Sequence, residues 1–114
     1  MPLLHITTNQ AIESNHASDL IKLASSTVAD MLGKPERYVM VSLEHNPHML
    51  FAGSDDPLAY VELKSIGLPG DRTRDFSGAL CTLIGQQLKI PTDRIYIEFS
   101  DAARHLWGWN GKTF

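Results

Sequence analysis

One hundred and fourteen residues, with 43% apolar and 20% charged side chains, make one globular domain with a single thin core and leave no room for a second. Ten Lys and Arg against thirteen Asp and Glu give a net charge of −3 with no basic block, which excludes a binder of the phosphate backbone and removes nucleic acid from the expected partners. No window approaches the ~18 apolar residues of a membrane span, Met1-Pro2-Leu3-Leu4-His5 lacks a signal-peptide pattern, and the lone Cys81 permits no disulfide within the chain. The expected location is therefore cytoplasmic, or outside the cell by a route that needs no signal peptide, without membrane insertion.

Leu3 to Asn9 is rich in β-formers and predicts a first strand. A helix follows, capped near Ser14 or Asn15, with Leu20, Leu23, Ala24, Thr27, Val28, Met31 and Leu32 at three- and four-residue steps. Gly33 and Pro35 end it, and Tyr38 to Leu43 reads as a second strand suited to a sheet interior. Glu44 to Pro57 reads as a loop holding a short strand at Met49-Leu50-Phe51. Leu58 to Ile66 is a third strand, closed by Gly67, Pro69 and Gly70. A second helix begins near Asp71, carries Phe76, Leu80, Leu83, Ile84 and Leu88 on one face, and is ended by Pro91-Thr92-Asp93. Ile95 to Phe99 is a fourth strand, and Asn110-Gly111 signals a tight terminal hairpin.

The order is strand, helix, strand, then the same again, and Lys34-Pro35-Glu36-Arg37-Tyr38-Val39-Met40-Val41 echoes Lys89 to Ile97 with one insertion. The expected fold is α+β: one domain over residues 1–114, two pseudo-repeats over about 1–57 and 58–114, and a four-stranded mixed sheet with both helices on one face. The strand faces Val39, Val41, Leu43 and Ile95, Ile97, Phe99 are too apolar for water, so the second sheet face predicts self-association.

Met1-Pro2, Gly33-Lys34-Pro35 with Tyr38, Lys64-Ser65-Ile66-Gly67, Asp93-Arg94-Ile95-Tyr96-Ile97, and Gly108-Trp109-Asn110 with Thr113-Phe114 together resemble the macrophage migration inhibitory factor family of the tautomerase superfamily. The resemblance spans the whole chain, with one insertion in the first helix region. It implies a homotrimer of duplicated β-α-β units with a catalytic amino-terminal proline in a pocket between subunits. It further implies a cofactor-independent isomerase, an intramolecular oxidoreductase acting on phenylpyruvate-like or dopachrome-like compounds. Keto–enol tautomerisation needs a base, a holder for the anion and an acid. Met followed by Pro is a context for removal of the initiator, which leaves Pro2 as a free secondary amine and the implied base. Lys34 and the main-chain N–H of Ile66, within Lys64-Ser65-Ile66, are the implied carboxylate holders. Tyr96, from a neighbouring subunit, is the implied acid. Tyr38, Trp107, Trp109 and Phe114 belong to the implied apolar pocket. The resemblance equally implies a cytokine-like protein that engages a cell-surface receptor, its tautomerase activity weak or vestigial.

Taken alone, the same residues also have plainer roles: a proline opening a strand, a lysine beside a helix C-terminus, tyrosines half-buried at strand starts, tryptophans closing an interface. Two departures from the best-known family member bear on the site. Glu98 stands where that member has asparagine, on the strand face of Tyr96, and a carboxylate there opposes an anionic substrate. Trp107 replaces a small aliphatic residue and narrows the mouth. The family member's Cys-x-x-Cys is absent over Leu58-Ala59-Tyr60-Val61, which excludes a dithiol mechanism, and Cys81 falls in an apolar helical run. His45 and His48 have ligand-like spacing without a completing cluster, so neither a metal nor a cofactor is expected.

Overall fold

The computed structural model describes residues 1–114. Strand β1 (Leu3–Thr8) leads to helix α1 (Ser14–Leu32), then β2 (Met40–His45), β3 (Ala59–Ile66), helix α2 (Thr73–Leu88), β4 (Ile95–Ala102) and a small hairpin of β5 (Gly108–Trp109) and β6 (Lys112–Thr113). The four long strands form one mixed sheet in the order β2-β1-β3-β4, with β1–β2 and β3–β4 parallel and β1–β3 antiparallel. Each parallel pair is spanned by its own helix, as a crossover between parallel strands requires. The two β-α-β units therefore run in opposite directions across the middle of the sheet.

Both helices cover the same sheet face. Leu4 and Ile6 of β1, Val61 and Leu63 of β3 and Ile95 of β4 pack with Leu20, Ala24 and Val28 of α1 and Leu80, Leu83, Ile84 and Leu88 of α2. The apolar face predicted for the second helix is buried at all of its positions, Phe76 included. On the first helix Leu20, Ala24 and Val28 are buried, but Leu23 lies at the rim and remains 43% exposed.

Several local expectations are corrected. Helix α1 has Glu13 rather than Ser14 or Asn15 as its N-cap, and no side chain caps it. Its C-terminus is as predicted: Gly33 takes a left-handed conformation (φ 62°) that a side chain would strain, while the Lys34 N–H donates to the Ala29 carbonyl at 3.0 Å. Strand β2 starts two residues later than expected, because Pro35 is followed by a 3-10 turn over Glu36–Tyr38. The Met49–Phe51 segment is no strand, only a single bridge between Phe51 and Ser54. Helix α2 ends at Leu88, where Lys89 turns left-handed (φ 55°), before Pro91 is reached. Strand β4 runs on to Ala102.

The largest correction concerns the open face of the sheet. Val39, Val41, Leu43, Ile97 and Phe99 pack, partly buried, against the core on the helix side, so the apolar strand faces named from sequence are not the open face of the sheet. The face without helices is mostly polar, apart from the Leu3–Met40 pair at its end, where Met40 is 66% exposed. One row across it reads Ser42, His5, Glu62, Glu98, and the next reads Glu44, Thr7, Tyr60, Tyr96. His5 bonds to Ser42 and Thr7 and lies 3.4 Å from the Glu44 carboxylate, and Lys64 pairs with Glu62 at 3.1 Å.

Candidate active site

The amino terminus lies at the end of the sheet where α1 finishes. Pro2 is fully buried, and its carbonyl accepts the Met40 N–H at 3.0 Å, which ties the start of β1 to β2. Carrying the β1–β3 register one residue past the Leu3–Lys64 pair sets Pro2 level with Ser65, itself fully buried. Ile66 follows at the end of β3. Pro2, Ser65 and Ile66 thus meet through strand pairing, although they are far apart in sequence.

Over this end lies a cavity of about 390 Å³, a size ordinary for small-molecule sites. Met1, Pro2, Leu3, Arg37, Tyr38, Val39, Met40, Trp107, Gly108, Trp109 and Phe114 line it. Its aromatic wall is ordered by edge and face contacts. The Tyr38 ring meets Trp109 (5.8 Å, 84°) and Phe114 (6.0 Å, 88°) edge-on, while Trp109 and Phe114 stack (5.4 Å, 10°). Such pairs contribute about 0.5–1.5 kcal/mol each beyond area burial. The wall is held by the tail: Asn110 and Gly111 make the hairpin turn with positive φ, the Phe114 N–H donates to the Trp107 carbonyl at 3.2 Å, and Arg104 Nε donates to the Phe114 main-chain oxygen at 3.1 Å.

Burial holds the Met1 amino-terminal ammonium below its ordinary value of 8.0, and the positive charges of Lys34 and then Arg104 push it the same way. Lys34 thus acts on the chain terminus from just beyond the α1 C-cap. An amine in this setting is neutral over a wider pH range than in water, so it can accept a proton.

The remaining site residues named from sequence lie elsewhere. Lys64 points onto the polar sheet face toward Glu62, away from buried Ser65, whose hydroxyl donates to the Ile66 carbonyl at 3.2 Å. Glu98 does not line the cavity; its carboxylate accepts the Tyr60 hydroxyl at 3.3 Å. Desolvation, followed by the Glu62 and Glu98 carboxylates, raises the Tyr60 hydroxyl above its ordinary value of 10.0. Tyr96 pairs with Tyr60 at the opposite end of the sheet from Ser65 and Pro2, five residues or about 17 Å along the strand. It is 65% exposed, with its ring against Phe51 at 4.7 Å. Within one chain Tyr96 and Pro2 therefore cannot act on the same molecule.

Sequence reasoning missed Arg37 and Arg104. Arg37 had a signal in its position beside Tyr38, over whose ring its guanidinium sits at 4.8 Å. Arg104 had none, because it is brought in by the short 3-10 turn Arg104–Leu106 that follows β4.

The family model described as Macrophage migration inhibitory factor (MIF) matches residues 1–114. The chain is 41% identical over 115 aligned residues to a Macrophage migration inhibitory factor homolog of Brugia malayi, covering 100% of this chain and 99% of that one. It is 36% identical to the Macrophage migration inhibitory factor of Mus musculus, with the same coverage. Among solved structures, a macrophage migration inhibitory factor homologue from Prochlorococcus marinus superposes with a TM-score of 0.93 at 48% identity, over 98% of both chains.

Proposed function

Because the chain belongs to the macrophage migration inhibitory factor family, we propose that it is a cofactor-independent keto–enol tautomerase of aromatic α-keto acids such as phenylpyruvate, with dopachrome-like compounds as further substrates. The observation that carries this reading is the amino terminus itself. Met1 and Pro2 lie at an aromatic cavity, and burial and two cations favour the neutral form of the Met1 amine. Removal of Met1 leaves the Pro2 nitrogen as the terminal amine and the base, one residue further in.

The steps balance without a cofactor. Pro2 takes a proton from the carbon beside the carbonyl, the carbonyl oxygen gains one, and return of a proton to carbon regenerates the keto form in the reverse direction. The Lys34 ammonium and the Ile66 N–H hold the carboxylate, and the aromatic wall of Tyr38, Trp109 and Phe114 takes the ring. Trp107, half-buried at the cavity, limits the bulk that enters. Tyr96 supplies the proton to oxygen from a second copy of the chain, since its distance from Pro2 along the sheet forbids it within one copy. A homotrimer, the assembly implied by the family resemblance, brings the two ends together. A receptor-engaging role rests on the names of the relatives, which describe an effect on macrophage migration.

The pH dependence tests the base. A Pro2 amine lowered in the way the Met1 terminus is retains kcat/KM for phenylpyruvate below the ordinary amine range and loses it only as the pH falls through the lowered value, where the nitrogen protonates. Arg104→Gln removes one of the two cations, lets the ammonium form at higher pH, and shifts the acid limb of the profile upward. An unchanged limb in that variant excludes Arg104 from the tuning, and a profile flat across this range excludes the amine as base.

Glu98 offers a second check. Its carboxylate lies directly across from Glu62 on the neighbouring parallel strand, and like charges so placed disfavour one another and any anion brought to that face. Since Glu98 reaches the substrate only from the second copy that supplies Tyr96, Glu98→Asn is expected to tighten phenylpyruvate binding in the assembly by about threefold, a gain of roughly 0.7 kcal/mol. It should also bring the Tyr60 hydroxyl back toward 10.0, read from tyrosinate absorbance in a spectrophotometric titration. No change in KM removes Glu98 from the substrate's surroundings.

A further inference from the structure

The cavity carries more positive charge than holding one carboxylate requires. Arg37 lines it, Lys34 and Arg104 act on the chain terminus beside it, and no acidic side chain lines it. The chain as a whole is acidic, at −3, so this local excess is a feature of the site rather than of the composition. No side-chain carboxylate pairs with Arg37, Lys34 or Arg104. The chain's ion pairs, Lys64–Glu62 and Arg72–Asp75, lie elsewhere, as does the His5–Glu44 contact. The adjacent Glu36 turns to a separate hollow beside Ile21 and Lys22.

The two arginines differ in what they have left to offer. Arg104 spends its Nε on the Phe114 main-chain oxygen. Arg37 lies with its guanidinium carbon 4.8 Å from the Tyr38 ring centroid, and no carboxylate pairs with it. A guanidinium held over a ring by cation–π attraction keeps its N–H fork in the plane, directed at its edges, where a carboxylate binds bidentately. The Tyr38 ring that carries it is itself fixed edge-on against Trp109 and Phe114. Arg37 is thus a pre-positioned cation on the aromatic wall, without a partner.

We propose that Arg37 forms a second anion subsite of the cavity, and that the preferred substrates are aromatic α-keto acids bearing a second carboxylate on the ring. The substrate half of this inference rests on the tautomerase reading above; the binding half does not. One carboxylate goes to Lys34 near Pro2, the ring packs on the aromatic wall, and the second carboxylate meets Arg37.

Calorimetric binding separates the two halves, because saturated analogues bind without reacting. The probes are 3-phenylpropanoate and 3-(4-carboxyphenyl)propanoate, titrated into the Met1-free protein. The dianion is expected to bind about tenfold more tightly than the monoanion at low salt, a difference that Arg37→Gln abolishes and Arg37→Lys restores in part. Equal binding of the two probes by the unaltered protein overturns the subsite, as does a preference that survives Arg37→Gln. Arg37 is exposed, so these variants should fold, and an unchanged melting temperature verifies it; the wild-type ratio of the two probes decides the matter even without them. If the dianion preference holds while neither phenylpyruvate nor its 4-carboxy derivative is turned over, the subsite stands and the tautomerase reading fails. If both are turned over at equal kcat/KM and the probes bind equally, the tautomerase reading stands and the subsite falls.

Discussion

Replacing Pro2 with glycine lowers kcat/KM for phenylpyruvate tautomerisation by about 10²- to 10³-fold, the loss expected when a positioned general base is disturbed. The glycine amine still carries a lone pair, but it lacks the ring that is fully buried against the end of β1, so its nitrogen swings among rotamers instead of facing one proton. The Pro2 carbonyl bond to the Met40 N–H survives the change, which keeps the strand in place and makes the comparison one of chemistry. Mass spectrometry must first show that Met1 is absent from both proteins, since its retention turns the Pro2 nitrogen into an amide without basicity. Full activity in the glycine variant, with Met1 removed, excludes the proline as base.

Arg94→Met is expected to cost about 2–4 kcal/mol of stability and about 10 °C in melting temperature. The half-buried Arg94 donates from Nε to the Pro57 carbonyl, from Nη1 to that of Phe51, and from Nη2 to those of Ser54 and Asp56, at 3.0–3.1 Å. Four carbonyls of one loop thus converge on a single guanidinium, whose centre also lies 5.3 Å over the Phe51 ring. Methionine fills the volume but leaves those carbonyls to find water, and the bridge between Phe51 and Ser54 loses its anchor. Phe51 is the ring against which Tyr96 rests, so the same variant lowers kcat more than it raises KM if Tyr96 delivers the proton. Calorimetric melting checks the first effect and steady-state kinetics the second. Arg94→Lys recovers part of the stability, because one ammonium reaches fewer of the carbonyls. A melting temperature within 2 °C of the parent, well inside the roughly 10 °C predicted, sinks the account of the loop.

Much of the fold was legible in the residues because its signals are local and periodic. The second helix announced its buried face at three- and four-residue steps. Gly33 and Pro35 marked the end of the first helix, and Asn110-Gly111 marked the hairpin. What could not be read was what depends on sheet sidedness. Alternation shows that Ile95, Ile97 and Phe99 share a face, yet not which face the helices take, so residues on the helix side were assigned to a self-association surface. Boundaries slipped where a backbone conformation had no residue to flag it, as at Lys89, a left-handed turn made without glycine. Of the candidate site, the aromatic wall and Pro2 came from motifs and were found together at one cavity. Arg104 came from a turn that no motif covers, and the four-fold role of Arg94 was hidden in a motif quoted only for its resemblance.

The two β-α-β units finish their sheet ends differently. In the first, the space beside the turn bearing Arg37 is the cavity that Pro2 helps to line, and no loop crosses it. In the second, the comparable turn bears Arg94, and the strand it faces begins after Pro57 with the polypeptide arriving from Phe51. That incoming loop fills the space, and its carbonyls saturate the guanidinium that would otherwise be free. An internal segment thus plugs one of two related hollows, and the expected stoichiometry follows: the aromatic dianion proposed above titrates to one equivalent per chain, however many chains assemble.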